Sequence, residues 1–138
     1  MMLEASGLHK VYGDKLILDD ERLILEEGDK AALIGVNGCG KSTLLKMLPG
    51  KDDPVYKMQK KDTRIHLMTQ EPEFEKETIL EEIQFRSAQN RIPCEDYELQ
   101  SVLSRLELAD STQKIANLSG GQKRRLSLAC ALISDAEI

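Results

Sequence analysis

The sequence predicts an α/β fold, and three observations carry that prediction. Strand-forming segments dominate the first third of the chain, helical periodicity governs the second half, and a glycine-rich turn joins an apolar run to a helix between them. The chain has 138 residues and a mass of 15.5 kDa, the size of one domain. A chain of that length buries roughly two thirds of its unfolded surface, enough for a single core. Hydrophobic residues at 41% and charged residues at 31% argue against disorder along the whole chain.

Leu3 to Val11 and Leu16 to Leu25 read as strands joined around Gly13-Asp14. Glu27-Gly28-Asp29 is a turn, and Lys30 to Ile34 is a short apolar run suited to a buried strand. The glycine-rich turn follows, then a helix from about Lys41 that stops at Pro49-Gly50. Lys51 to Lys61 is polar and loop-like. The basic cluster of Lys57, Lys60, Lys61 and Arg64 reads as a solvated surface, with contact to RNA as the alternative. Arg64 to Thr69 is the next strand. Thr78 and Glu81 stand at capping-box spacing and open a helix that runs through about Ser87. Leu99, Val102, Leu103 and Leu106 keep the i, i+3, i+4, i+7 spacing of an amphipathic helix. The last helix covers about Gly120 to Ser134 and buries Leu126, Ala129, Cys130 and Ile133 on one face. The sequence contains no internal repeat and no low-complexity tract.

Lys plus Arg is 19 and Asp plus Glu is 24, a formal net charge of −5. That balance argues against a domain whose main task is to coat nucleic acid. Cys39, Cys94 and Cys130 are odd in number and widely spaced, so reduced thiols are expected and neither a metal cluster nor a disulfide framework. Apolar runs such as Leu128 to Ile133 fall far short of the roughly 18 residues of a membrane helix, so direct membrane insertion is not expected. The N-terminus has no basic segment leading into an apolar stretch, so no signal peptide is read and a cytoplasmic location is expected.

Gly35-Val36-Asn37-Gly38-Cys39-Gly40-Lys41-Ser42 matches G-x-x-x-x-G-K-[ST] in full, directly after an apolar run and before a helix. Glycines let the main-chain N–H groups turn inward around a polyphosphate, and a helix N-terminus adds a favourable dipole for anions. Lys41 would reach the β and γ phosphates, and Ser42 would offer its hydroxyl to Mg²⁺, with Thr43 following in the first helical turn. A signalling GTPase would need Asp-x-x-Gly downstream, and no aspartate after residue 42 is followed by glycine at that spacing. From the loop alone, small-molecule kinases stay open.

Leu118-Ser119-Gly120-Gly121-Gln122 immediately precedes the last helix. Ser119 and Gln122 have capping-box spacing, which is sufficient for a well-capped N-terminus. Successive glycines are poor helix formers, however, costing about 1 kcal/mol each relative to alanine. Lys123, Arg124 and Arg125 also add positive charge at an end that is already positive. Both features make sense if a phosphate docks there.

With these two motifs in this order, the chain resembles the ATP-binding cassette (ABC) ATPases, whose signature is Leu-Ser-Gly-Gly-Gln. The resemblance implies ATP and Mg²⁺ as ligands and head-to-tail pairing with a second ABC domain. The signature of one partner would close on the γ-phosphate held by the other's phosphate loop. It thereby implies that Ser119, Gly120, Gly121 and Gln122 contact ATP in trans, and that Tyr12 stacks on adenine. It implies that Gln70, at the end of the strand from Arg64 to Thr69, helps coordinate Mg²⁺ and acts with Lys41 in catalysis. The implied fold is an incomplete P-loop NTPase domain with an N-terminal antiparallel β subdomain, a RecA-like core and a helical lobe. Residues 1–50 would hold the β subdomain, phosphate loop and its helix, 51–77 a strand and glutamine loop, 78–118 the helical lobe, and 119–138 the signature and its helix.

Compact spacing between Lys41, Gln70 and Ser119, with the runs Gln70 to Phe74 and Gly121 to Arg125, resembles the soluble ABC-F branch, which acts on ribosomes. The residues between Gln70 and Ser119 are too few and too mixed in charge for the basic arm many ABC-F proteins carry. Two other readings stay open: an ATP-binding subunit of a membrane transporter, docking its partner through the segment around Gln70 to Ile92, and a non-hydrolysing ATP-binding regulatory fragment. The family's Walker B strand, its catalytic glutamate and its switch histidine have no counterpart in these 138 residues. Glu137 precedes the place of that strand and is not the catalytic base, and His9 and His66 lie upstream of the signature. The chain alone is therefore expected to bind ATP without turning it over.

Overall fold

The structure, a computed structural model, describes residues 3–49, 57–60 and 63–138, with the main chain alone at 57–60. It divides into two compact units, Met1–Leu67 with Glu137–Ile138, and Met68–Ala136. The α/β class and the N-terminal antiparallel pair are as expected.

In the first unit, β1 (Leu3–Tyr12) and β2 (Lys15–Leu25) form an antiparallel hairpin whose last pair is Tyr12 with Lys15. The hairpin is not a regular ladder. Ser6 pairs with Arg22 and Leu8 with Glu21, so Gly7 is an extra residue on β1, and its φ of +70° is the left-handed conformation glycine adopts without strain. The bulge resets the alternation of faces. Leu3 and Ala5 point inward, and beyond the extra residue the inward position becomes Leu8. These three pack with Met47 and Leu48 at the end of α1 (Lys41–Met47), and Leu18, Leu23, Leu25, Leu44, Ile65 and Ile138 border the cluster.

Three expectations are corrected in this unit. Lys57–Lys60, read as part of a loop, forms β3 and pairs antiparallel with Leu3 to Ser6, giving the order β2-β1-β3. Main-chain pairing with an open strand edge needs no apolar pattern, which is why the sequence hid it. Gly50, residues 51–56 and Lys61, and the side chains of Lys57 and Lys60, lie outside the described residues, so of the basic cluster only Arg64 is described. Lys30 to Ile34, read as a buried strand, is irregular and exposed, with Ile34 at 90%. No described segment pairs with it, and an apolar run without a ladder neighbour has neither its hydrogen bonds nor its burial.

Arg64 to Thr69 is likewise not a regular strand, though its start is paired. Ile138 N–H donates to Arg64 O at 3.3 Å and His66 N–H donates to Ile138 O at 2.8 Å, the alternating pattern of a parallel ladder centred on Ile65 and Ile138.

The second unit is helical. It holds α2 (Ile79–Ala88), α3 (Asp96–Arg105), one turn of 3-10 helix at Ile115–Asn117, and α4 (Gly120–Ile133). Thr78 caps α2 as expected, its Oγ1 accepting from Glu81 N–H while the Glu81 carboxylate accepts from Thr78 N–H. Ile79, Ile83, Leu99, Leu103, Leu126, Ala129, Cys130 and Ile133 form its core, and the buried face of α4 is the one its sequence announced. Among the described residues no helix is long and apolar enough to cross a membrane.

Candidate nucleotide-binding site

The phosphate loop lies in the first unit, where an exposed segment bends at Gly38 (φ +82°) and Gly40 (φ +105°) into α1. Two different constraints hold glycine at position 40. Its φ is one that L side chains rarely adopt, and a Cβ there would lie 2.4 Å from Cγ2 of Ile17 on β2. Ile17 is itself an extra residue of the hairpin, since Lys10 pairs with Leu18 and Val11 with Leu16. A bulge in β2 therefore presses a side chain against the loop where it enters its helix. Sequence reading missed Ile17, whose only signal was a third apolar residue in the run Leu16 to Leu18.

Lys41 closes the loop. Its Nζ donates to Gly35 O at 2.7 Å and Val36 O at 2.8 Å and lies 3.8 Å from Cys39 Sγ. These contacts hold the ammonium over the loop's own main chain, where a bound phosphate would meet it. Crowding is tight at the other end too, because a Cβ on Gly35 would lie 2.6 Å from Cys39 Sγ. Helix α1 starts with no side-chain cap and no acidic residue in its first turn, unlike α2 and α4, which each carry a capping box. Its first N–H groups thus keep their capacity for an external acceptor. Ser42 is exposed and Thr43 half-buried in that turn. The uncapped N-terminus, the positioned ammonium and the exposed hydroxyl fit a polyphosphate with a divalent cation.

Tyr12 ends β1, more than half exposed, with Lys10 Nζ 5.7 Å from its ring centroid. Gln70 and the signature belong to the second unit. Gln70 is exposed at a bend where Thr69 Oγ1 donates to Glu71 O at 2.9 Å. At the start of α4, Ser119 Oγ accepts from Gln122 N–H at 3.2 Å and Gln122 Oε1 accepts from Ser119 N–H at 2.9 Å. The capping reading of these residues is therefore real. It does not account for the glycines: neither has a positive φ, and a Cβ on Gly120 would meet nothing within 4 Å. Backbone conformation and packing among the described residues leave glycine unexplained there. Of the basic run, Arg125 pairs with Glu107 at 2.6 Å.

The sequence family described as ABC transporter matches residues 18–138. Among curated relatives, the chain is 36% identical over 128 residues to the probable ATP-binding protein YbiT of Escherichia coli O157:H7, covering 90% of this chain and 24% of that protein. It is 33% identical over 149 residues to the zinc import ATP-binding protein ZnuC of Hydrogenovibrio crunogenus, covering 99% of this chain and 58% of that one. The chain thus spans less than two thirds of the curated relatives it matches. Among solved structures, a putative ABC transporter ATP-binding protein from Pyrococcus furiosus superposes with a TM-score of 0.74 at 23% identity, over 97% of this chain and 71% of that one. With the family match running across the phosphate loop and signature, this chain belongs to the ABC transporter family as an ATP-binding domain.

Proposed function

We propose that this ATP-binding domain works as part of a cytoplasmic ABC-F-like ATPase, in which ATP-driven pairing of two such domains is coupled to work on the ribosome. The observation that carries the pairing is Gly120. A glycine that neither the backbone nor packing among the described residues demands, at the N-terminus of a helix already capped, leaves room for a group from outside the chain. Ser119 Oγ accepts one hydrogen bond from the helix, so its hydroxyl proton is left to donate to a γ-phosphate across the pair.

In this reading Gly35 to Thr43 cradle the phosphates, Lys41 neutralises the β and γ oxygens, and Tyr12 stacks on the adenine ring. Ser42 and Gln70 would hold Mg²⁺, which when bound offsets phosphate charge. Residues 1–138 by themselves would bind MgATP without turnover, because the sequence supplies phosphate clamps and no counterpart of the family's catalytic glutamate. Compact motif spacing supports the ABC-F assignment.

A second reading, an ATP-binding subunit docked on a membrane transporter, is favoured by the match to ZnuC over nearly the whole of this chain. One experiment separates them. The full-length protein, locked in its ATP state with a slowly hydrolysed analogue, is expected to sediment with ribosomes through a sucrose cushion. Recovery in the membrane fraction with an integral membrane protein, and none with ribosomes, would establish the transporter reading instead.

A further inference from the structure

One buried charge has no part in nucleotide contact. Glu82, on α2, has 0% of its surface exposed. Carboxylates are almost never fully buried unless paired. Its Oε1 accepts from Arg86 Nε at 2.7 Å, and its Oε2 accepts from the main-chain N–H groups of Glu75 and Lys76, each at 2.8 Å. Arg86 Nη2 donates to Glu73 O at 3.3 Å, and Lys76 Nζ stands 4.6 Å from the Phe85 ring centroid. Glu82, Phe85 and Arg86 therefore grip the irregular segment from Glu73 to Lys76, which begins just after Gln70.

Stability alone is a poor reason for this arrangement, because well-packed apolar residues often replace a buried ion pair without loss. Apolar residues cannot hold the main chain of an irregular segment in one place, and a carboxylate facing two N–H groups can. Helix α2 packs in turn on α4, where Ile83 shares a core with Leu126 and Ala129, and α4 carries the signature at its N-terminus. All of these residues lie in the same compact unit.

We infer that Glu82 is a positioning residue: with Arg86 it makes the segment leaving Gln70 and the signature helix α4 move as one body. Loops ordinarily absorb displacements, whereas close-packed elements transmit them. A shift of Gln70 on nucleotide binding would thus be delivered to Ser119 rather than lost between residues 71 and 78. The inference rests on the role proposed above for Gln70.

The test compares Glu82→Leu, Glu82→Leu with Arg86→Met, and Gln70→Ala in the full-length protein. The double variant removes the guanidinium that the single one leaves unpaired, so folding is not the limiting factor. Both Glu82 variants are expected to lose at least tenfold amide-exchange protection at Glu75 and Lys76. ATP affinity by calorimetry should stay within about twofold of the parent, while the ATP concentration for half-maximal pairing rises about fivefold or more, as in Gln70→Ala. Normal pairing in the Glu82 variants beside impaired pairing in Gln70→Ala would overturn the inference and leave the reading of Gln70 standing. Normal pairing in Gln70→Ala would remove that reading and the inference with it. A double variant that loses its thermal midpoint and ATP affinity together with pairing would reduce Glu82 to a residue that merely holds the fold.

Discussion

Gly40 and Ile17 touch across the junction between the β hairpin and the phosphate loop: the space a Cβ on Gly40 would need is filled by Cγ2 of Ile17, 2.4 Å away. Neither residue is close to the other in sequence, and both sit at irregularities, one at a left-handed turn and one at a β-bulge. The contact sets where the loop enters α1. Gly40→Ala is expected to cost about 1–3 kcal/mol through the strained φ alone, with the clash added. Adding Ile17→Ala should recover the clash and not the φ strain. Calorimetric ATP affinity and urea midpoints for the single and double variants check this, and equal deficits in both would show that Ile17 does not matter.

Lys41→Ala should lower ATP affinity tenfold or more, since charge-assisted contacts of this kind contribute about 1.5–3 kcal/mol. The free protein should change little in stability, because Lys41 is only half-buried and its ammonium contacts the loop's own carbonyls at an exposed position. Titration calorimetry on a protein containing the whole domain is the measurement. Unaltered affinity would remove this loop as the nucleotide site.

Ser119 serves the helix as well as the proposed pairing, so the substitution has to separate the two. Aspartate caps a helix about as well as serine and cannot donate to a γ-phosphate at neutral pH. Ser119→Asp is expected to keep the thermal midpoint within a few degrees and the ATP affinity of one domain, while ATP-induced pairing disappears in light scattering. Persistent pairing would mean that α4 does not face a phosphate of the partner domain.

The three thiols should separate by environment. Cys39 is exposed in the phosphate loop, Cys94 is half-buried and Cys130 is buried against α2 and α3. An alkylating reagent is expected to modify Cys39 first and Cys130 last under native conditions, and MgATP should protect Cys39 selectively. Peptide mass mapping with and without nucleotide reads this directly, and labelling of Cys39 that ignores saturating MgATP would be the contrary result.

Burial pushes the Cys130 thiol up from 9.0 to about 11. The folded thiol keeps its proton where the unfolded one has lost it. The corresponding stability is therefore complete below about pH 9 and is lost as the pH rises to about 11. The loss amounts to about 2–3 kcal/mol over that window. Cys130→Ala should flatten this alkaline slope in urea midpoints, at the expense of a small cavity.

The exposed pair of Glu77 and Lys114 acts at both ends of the pH scale. A hydrogen bond and charge attraction from Lys114 hold the Glu77 carboxyl below its usual range, and the same contacts from Glu77 raise Lys114. The contribution of Glu77 is present above its unfolded pKa and is lost as pH falls through the folded one. That of Lys114 is present below its unfolded pKa and is lost as pH rises through its own.

Local chemistry was legible in the residues themselves. The cap at Thr78, the cap at Ser119 and the buried faces of α3 and α4 all depend on neighbours within about one helical turn, and each lies where its residues placed it. Those interactions are short in range, so spacing alone specifies them. Pairing between distant segments was beyond that reach. The ladder of Lys57–Lys60 on β1, the irregular path of Lys30 to Ile34, the pressure of Ile17 on Gly40 and the burial of Glu82 all depend on which main chain or side chain arrives from elsewhere. Strand pairing uses groups that every residue carries, and the burial of a charge depends on donors at non-adjacent positions. The sequence by itself determined which chemistry the chain holds, and only the tertiary structure decided what presses on it and what holds it in place.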